Sequence, residues 1–209
     1  NASVLMGGTR VTLPAKQGEV TLRLTNDSDT PALVQAWIDT GDAKSTPDTV
    51  DTPFLITPPM FRMEAKRDQS LRILYTREPL PADRESLFWL NVLDVPPKPA
   101  DRGPDNSNYL QLALRSRLKL FFRPEGLQGD PLKAPAGLVF HASGNALVVS
   151  NPSAFHVTLT DVVVDVGGKA VSVEGGMVAP KSELPLAATG LTSAPAGAGV
   201  ALNPMNAFG

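Results

Sequence analysis

Turn-forming residues interrupt this chain along its whole length, and they limit what it can fold into. Its 209 residues include 20 prolines and 17 glycines. Proline lacks a backbone donor and glycine weakens regular elements, so this density favours short strands over long helices. No segment has the apolar period of an amphipathic helix of useful length. The sequence therefore predicts an all-β protein.

The first half of the chain alternates strand patterns with turns. The strand patterns lie at 19–24, 32–39, 70–75 and 87–92. Polar and apolar residues alternate in 19–24 and 70–75, which is typical of a strand with one buried face. The segment Thr57-Pro58-Pro59 lies outside the middle of any sheet, because proline cannot donate to the ladder.

The longest regular pattern runs from 110 to 122 and follows a polar loop at 96–108. Every even-numbered position of this segment except Ser116 is apolar, and its thirteen residues exceed the typical strand length of about 5–6 residues. An alternating strand most often packs its apolar face against the core of its own domain. A loop as long as 96–108 is usually functional or mobile. The pattern alone leaves open whether this is a core strand or a binding strand.

The second half of the chain predicts a separate sandwich domain. After 123–126 the composition shifts toward Gly, Ala and Val, and we place a domain boundary there, giving domains 1–124 and 125–209. Five short strands are expected at 137–140, 146–150, 156–160, 162–166 and 169–173. Their regular spacing between turn residues is typical of a β-sandwich. The pairs Gly167-Gly168 and Gly175-Gly176 are interpreted as hairpin turns.

Composition excludes several classes of partner. The net charge of −2 and the pI of about 5.7 give no basic excess of the kind that binds nucleic acid or anionic membranes. No apolar run reaches about 18 residues, so no membrane insertion is expected. The absence of cysteine excludes disulfides, thiolate catalysis and Cys-ligated zinc. The first residues do not resemble a signal peptide, which fits either a mature terminus or a cytosolic protein.

Motifs for catalysis or cofactor binding are equally sparse. His141 and His156 lie in no metal or nucleophile motif. Asp83 and Glu85 are nearby carboxylates, but a structural ion pair is the expected role and a carboxylate-based hydrolase the weakest hypothesis. We therefore expect no metal, no cofactor and no enzymatic activity.

An ordered set of segments resembles one protein family. The segments are 9–11, 26–29, 35–37, 57–62, 83–91, 94–97, 110–114 and 119–124. Together they resemble the periplasmic pilus-assembly chaperones of the chaperone–usher pathway. The resemblance covers essentially all of residues 1–124. It is weaker in 125–209, where the matching turns are 149–153, 178–182 and 206–209.

The resemblance implies a fold and a function. The fold is two immunoglobulin-like β-sandwich domains set at an angle with a cleft between them, the second without a short C-terminal tail. The function is ATP-independent binding, folding and capping of pilus subunits by donor-strand complementation in the periplasm of a Gram-negative bacterium. The protein then delivers its subunit to an outer-membrane usher. The resemblance also implies that a signal peptide has been removed and that no cofactor takes part.

The resemblance also assigns site residues. Arg10 and Lys119 hold the C-terminal carboxylate of the subunit, and Leu110, Leu112 and Leu114 enter its open groove. Strict alternation places Lys119 on the opposite face from the leucines. Arg and Lys suit a carboxylate, the first through its planar fork and the second as a point charge.

The same resemblance implies an interdomain ion pair between Glu85 and Arg123. The family usually adds an acid from its closing turn, where this sequence has Ala207, so only two members of that cluster remain. The cysteine pair of the family's long-loop branch is absent, which favours the short-loop branch although 96–108 is somewhat long.

A different class of function remains open at this stage. An immunoglobulin-like adhesion or scaffold module would keep the strand at 110–122 fully paired, whereas a chaperone would leave part of it available. Hydrogen exchange over 96–118 separates the two. An available donor edge also allows the protein to associate with itself.

Overall fold

The structure is a computed structural model that describes residues 4–97, 112–144, 146–187 and 200–204. These residues form fifteen strands and one short 3-10 helix, Pro135–Gly137, and they contain no helix long and apolar enough to cross a membrane. Backbone contacts divide the chain into two compact units. The first comprises Asn1–Leu80 and Ser86–Arg123, and the second comprises Pro81–Glu85 and Pro124–Gly209.

The first unit contains nine strands in two sheets. They are β1 (Val4–Met6), β2 (Arg10–Pro14), β3 (Glu19–Asn26), β4 (Ala32–Asp39), β5 (Phe54–Thr57), β6 (Met60–Met63), β7 (Asp68–Tyr75), β8 (Ser86–Val95) and β9 (Leu114–Arg123). One sheet has the order β1-β3-β7-β5 and the other β2-β9-β8-β4-β6. All pairs are antiparallel except β2 with β9, which is parallel. The four strands expected in the first half of the chain are all present.

The core of the first unit lies between these two sheets. Alternate residues of each strand face inward, as the period of a strand requires. The largest fully buried side chains are Leu13, Leu24, Leu71, Ile73, Leu90 and Leu120. They come from both sheets, so each sheet closes the apolar face of the other.

The second unit contains six strands around its own core. They are β10 (Val139–Ser143), β11 (Ala146–Asn151), β12 (Val157–Val166), β13 (Lys169–Val178), β14 (Ser182–Ala187) and β15 (Val200–Pro204). The sheets have the orders β10-β11-β14 and β13-β12-β15. Val149, Val157, Val162 and Val178 are completely buried between them.

Two expectations for the second unit are wrong in detail. The segments 156–160 and 162–166 belong to one strand, β12. An irregularity between Leu159 and Asp161 shifts the alternation of buried residues by one position, so the pattern resembles two strands. Gly167-Gly168 forms the expected hairpin turn, but Gly175-Gly176 lies inside β13. A Cβ atom on Gly175 would lie 2.1 Å from the carbonyl oxygen of Leu159, so close backbone approach explains that glycine.

One turn appears in both units with the same hydrogen bonds. Asn26 and Asn151 are buried, and each Nδ2 donates to the carbonyl oxygen four residues later, at 2.9 and 2.7 Å. Each Oδ1 accepts from the hydroxyl of the serine two residues later, Ser28 and Ser153, at 2.7 Å in both cases. A short polar side chain that bonds to the backbone stabilises a sharp turn, so each unit closes in the same way.

Candidate functional site

Strand β9 has two halves with different neighbours. β8 pairs with β9 along its whole length, from Leu114 to Phe122. β2 pairs only with Lys119–Arg123, which we call the paired half. Within the described part of the chain, the outer edge of Leu114–Leu118 has no partner strand, and we call this the open half. Among the described residues, nothing pairs with the outward backbone donors and acceptors of this half, and such an edge can accept another strand.

The apolar row of β9 extends beyond the core. Within the strand, the row is buried at Leu118, Leu120 and Phe122. Leu114 is 49% exposed, and Leu112, just before the strand, is 61% exposed. The alternative that these two leucines pack in the protein's own core is therefore wrong. Leu110 and most of the loop 96–108 lie outside the described residues.

The two predicted clamp residues are register partners. Arg10 of β2 is aligned with Lys119 of β9, on the sheet face opposite Leu114. Lys119 Nζ lies 5.8 Å from the Trp89 ring centre, and Arg10 Cζ lies 5.5 Å from that of Phe121. Burial, together with the nearby Arg10 charge, lowers the pKa of Lys119 below its ordinary value.

The charge on Lys119 has no counterion in the described chain. Its ammonium makes no ion pair with any carboxylate of residues 4–97, 112–144 or 146–187. The partly desolvated ammonium of Lys119 would be stabilised by an anion. The arrangement suits a carboxylate that arrives from another molecule.

A second polar cluster lies on the same sheet face beside the open half. Asp39 and Asn91 are almost completely buried, and Asn91 Nδ2 donates to Asp39 Oδ2 at 2.6 Å. Arg115 Nε donates to Asn91 Oδ1 at 2.9 Å, and Arg117 Nη2 donates to Asp39 Oδ1 at 2.8 Å. We call these four residues the Asp39 cluster.

Sequence reasoning missed the Asp39 cluster. The one available signal was an acidic residue at the end of the buried pattern 32–39, with two arginines at alternate positions of 110–122. Burial acts to raise the pKa of Asp39, but hydrogen bonds from Asn91, Gly41, Ser45 and Arg117 outweigh it. The pKa of Asp39 therefore lies below its ordinary value and the side chain is a carboxylate at neutral pH.

The predicted partners Glu85 and Arg123 lie in different units. Glu85 is buried in the second unit, where its Oε1 accepts from the backbone N–H of His156 at 2.7 Å and contacts His156 Nδ1 at 3.2 Å. Arg123 is the last residue of β9 in the first unit. An ion pair between them stays a prediction, and Ala207 lies outside the described residues.

Asp83, the other carboxylate considered for catalysis, is an ion-pair partner. Arg84 and Lys181 donate to its oxygens at 3.1 and 3.3 Å. The hydrogen bonds from Arg84, and secondarily from Lys181, lower the pKa of Asp83 to about 2. No group of three or more His, Cys, Asp or Glu within the described ranges is placed to hold a metal ion.

An apolar patch is present at one edge of the same sheet. Leu33 of β4 and Met60 of β6 are exposed large apolar residues. Leu33, Val95, Pro96 and Pro97 line a cavity of about 360 Å³. Patches of this kind often mark protein–protein contacts.

Both halves of the chain match one family of known proteins. Residues 3–128 match the family described as "Pili and flagellar-assembly chaperone, PapD N-terminal domain". Residues 133–209 match "Pili assembly chaperone PapD, C-terminal domain".

Individual relatives are similar over nearly the whole chain. The probable fimbrial chaperone YadV of Escherichia coli is 41% identical over 213 residues, which cover 100% of this chain and 87% of YadV. The chaperone protein HifB of Haemophilus influenzae is 46% identical over 195 residues, which cover 92% of this chain and 80% of HifB.

Solved structures agree with this assignment. The crystal structure of the YadV chaperone aligns with a TM-score of 0.82 and 40% identity over 99% of this chain and 94% of that chain. A chain of the Salmonella enterica SafA pilin–SafB chaperone complex aligns with a TM-score of 0.74 and 34% identity, over 90% and 85% of the two chains. These matches confirm the predicted all-β fold of two immunoglobulin-like sandwiches. The chain belongs to the family of pili and flagellar-assembly chaperones represented by PapD.

Proposed function

We propose that this protein is a chaperone that captures an incomplete pilus subunit by adding the open half of β9 to the subunit's sheet. Family membership supports a role in pilus assembly. The related SafB chaperone is known in complex with the SafA pilin, which supports a pilin as the partner. The members of this family are pilus chaperones rather than enzymes, and we assign no catalytic role to any residue.

The exposure of Leu112 and Leu114 beside an open strand edge is the observation that carries this proposal. An incomplete subunit exposes an apolar groove and unpaired strand edges, both of which promote aggregation. Added strands supply backbone hydrogen bonds to the edges and alternate side chains to the pockets. In this protein the edge is Leu114–Leu118, and Leu112 and Leu114, together with Leu110, are the donated side chains.

Arg10 and Lys119 form the clamp for the subunit's C-terminal carboxylate in this proposal. Their alignment across the β2–β9 pair places both cations at the point where the open half begins. A bound carboxylate would offset the burial that lowers the pKa of Lys119. Lys119 and the leucines belong to one continuous segment, so fixing the carboxylate at Lys119 also fixes the register of the leucines in the groove.

Delivery to an outer-membrane usher is the next step of the proposed function. Such a handover requires a second surface that stays accessible while β9 holds the subunit. The apolar patch around Leu33, Met60 and Pro96 is accessible and involves no residue of β9. We place this activity in the periplasm, after signal-peptide removal, and assign it no nucleotide or cofactor.

The domain assignment follows the same reasoning. We propose that residues 1–124 form the domain that carries the subunit-binding strand and that residues 125–209 form the second domain. The ion pair between Glu85 and Arg123 would connect them. The open half also gives the unoccupied protein an edge through which it can associate with itself.

Co-expression with a pilin-like subunit in a bacterial periplasm tests the proposal. We expect the wild-type protein to form a soluble 1:1 complex that survives affinity purification and size exclusion. Arg10→Ala and Lys119→Ala proteins should fold but lose the complex, because each removes one cation of the clamp. Arg72→Ala is a matched control, since Arg72 lies on the other sheet and pairs with Glu19 there.

Each outcome of this experiment is decisive. A subunit that stays soluble without this protein, or that forms no complex with the wild type, would contradict the chaperone function. Normal capture by folded Lys119→Ala protein would contradict only the clamp.

A further inference from the structure

The open half of β9 is paired with one neighbouring strand, β8. It is hydrogen-bonded along one edge only, and Leu112 and Leu114 project from the core row into solvent. A strand with one neighbour opens locally more easily than a strand with two. A donor strand binds best when it is already extended, because ordering it during binding weakens the complex. Some contact other than a second strand is needed to hold this segment in shape.

Arg115 and Arg117 provide such contacts. Arginines on an edge strand are normally solvated, yet these side chains are only 27% and 22% exposed. Asn91 Oδ1 accepts hydrogen bonds from Arg115 Nε and Nη2, at 2.9 and 2.6 Å, and from Arg117 Nε at 3.2 Å. Asp39 Oδ1 accepts from Arg117 Nη2 at 2.8 Å. The two arginines are alternate residues of the open half, so the cluster holds that half at two successive points.

The acceptors of the Asp39 cluster are themselves fixed. Asp39 Oδ2 accepts from Asn91 Nδ2 at 2.6 Å and from Ser45 Oγ at 3.1 Å. Asp39 Oδ1 also accepts from the backbone N–H of Gly41 at 2.7 Å. Buried polar groups that satisfy one another in this way form rigid networks.

Two tryptophan rings complete the attachment. The guanidinium carbon of Arg115 lies 5.0 Å from the Trp37 ring centre, and that of Arg117 lies 4.6 Å from the Trp89 ring centre. These distances allow cation–π attraction, which is stronger where the cation is partly desolvated. Each arginine is thus held by hydrogen bonds at its edge and by a ring at its face.

The cluster holds β9 from one face and leaves the other surfaces available. All its contacts lie on the outer face of the sheet, in the same row of residues as Lys119. The leucines face the other way, and the unpaired backbone edge of Leu114–Leu118 is untouched. The paired half needs no such cluster, because β2 fulfils the same role there.

We propose that Asp39 and Asn91 are positioning residues for subunit capture, and that they act through Arg115 and Arg117 to keep the open half of β9 extended. The inference rests on the proposed function and adds contacts that keep the donor edge extended before the subunit binds. The carboxylate is needed because two guanidinium groups share this site and Asp39 is the acid that pairs with both.

The test compares Arg117→Gln and Asp39→Asn with the wild type, with Arg72→Gln as a control that removes an exposed arginine from the other sheet. Amide hydrogen exchange is measured by NMR in the protein without a subunit. We expect exchange in Leu114–Leu118 to rise about ten-fold or more in both cluster variants, while Lys119–Arg123 keeps its wild-type rates. Arg72→Gln should change neither half.

Subunit affinity is the second readout. Titration with a purified pilin-like subunit, at a temperature well below the unfolding midpoint of each variant, should show about ten-fold weaker binding for both cluster variants. Arg117→Lys should recover part of this loss, because a lysine can still reach the Asp39 carboxylate.

The readouts separate this inference from the proposed function. Wild-type exchange rates in the open half of Arg117→Gln protein would overturn the inference, and so would an equal rise in both halves. If the wild type binds no subunit, the proposed function fails, and the exchange experiment still decides the role of the cluster. If Asp39→Asn protein does not fold, Arg117→Gln decides it, because Arg117 lies at the surface of the cluster.

Discussion

The two halves of β9 share one sequence pattern and have different surroundings. In Lys119–Arg123 the apolar row is buried between the sheets and β2 and β8 cover both edges. In Leu114–Leu118 the same row runs from buried Leu118 to exposed Leu114, and one edge has no partner strand among the described residues. The open edge arises from β2, which begins at Arg10 and so covers only part of its neighbour. In the proposed function, this uncovered part of an alternating strand is the segment that binds the subunit.

Leucine-to-alanine substitutions on either side of the boundary should have very different effects on stability. Leu120→Ala removes a side chain with no exposure and should lower the free energy of unfolding by about 3 kcal/mol. Leu114→Ala, in the open half, should lower it by less than about 1 kcal/mol. Urea denaturation followed by circular dichroism measures both. Equal losses would mean that the open half packs in the core.

A charge at Leu112 should affect subunit binding far more than it affects the stability of the protein. Leu112→Glu places a carboxylate in the proposed groove of the subunit and should weaken capture by about 100-fold, with little change in unfolding. Leu55→Glu is the matched control, because Leu55 is equally exposed, at 63% against 61%, but belongs to β5. Unchanged affinity of the Leu112→Glu protein in a titration would exclude Leu112 as a donated side chain.

Lys119, at the boundary between the two halves, should stabilise the complex with the subunit but lower the stability of the unbound protein. Its lowered pKa means that the folded state disfavours the charged form, so charged Lys119 reduces stability at neutral pH. Lys119→Met should therefore unfold at the same or a higher urea concentration than the wild type, while subunit capture is lost. The wild type should regain stability relative to the variant as pH rises through the lowered pKa toward 10.5. A less stable variant at neutral pH would show that Lys119 supports the fold.

The smallest effect is expected at Asp94 of β8, which pairs with Leu114 of the open half. Burial raises the pKa of Asp94 above 3.8, although the backbone N–H of Val4 donates to Oδ2. Oδ1 has no hydrogen-bond partner among the residues that the structure describes. Ionised Asp94 therefore reduces stability above the raised pKa, and this penalty disappears as pH falls through it.

Asp94→Asn tests this directly. The variant should be slightly more stable than the wild type at neutral pH, and the difference should shrink on acidification toward 3.8. Urea denaturation at several pH values measures the difference. A gap that widens as pH falls would mean that the carboxylate is stabilised in the folded state.

Local pattern was sufficient to predict the longer strands of the first unit and the faces of β9. The segment 32–39 is β4 with the predicted bounds, and Leu114 and Lys119 lie on opposite faces as alternation requires. The exposure of Leu112 could not be predicted in this way, because burial depends on which distant segments pack over a side chain. The Asp39 cluster was missed for the same reason, since Asp39 and Asn91 are brought together only by pairing of β4 with β8.

The twin asparagine turns let each unit close by its own local bonds. Asn26 and Asn151 make the same bonds to a serine two residues on and a carbonyl four residues on. Because these partners all lie within four residues of the asparagine, neither set of bonds depends on the other unit. The loss of one turn would therefore destabilise one sandwich and leave the same bonds of the other intact.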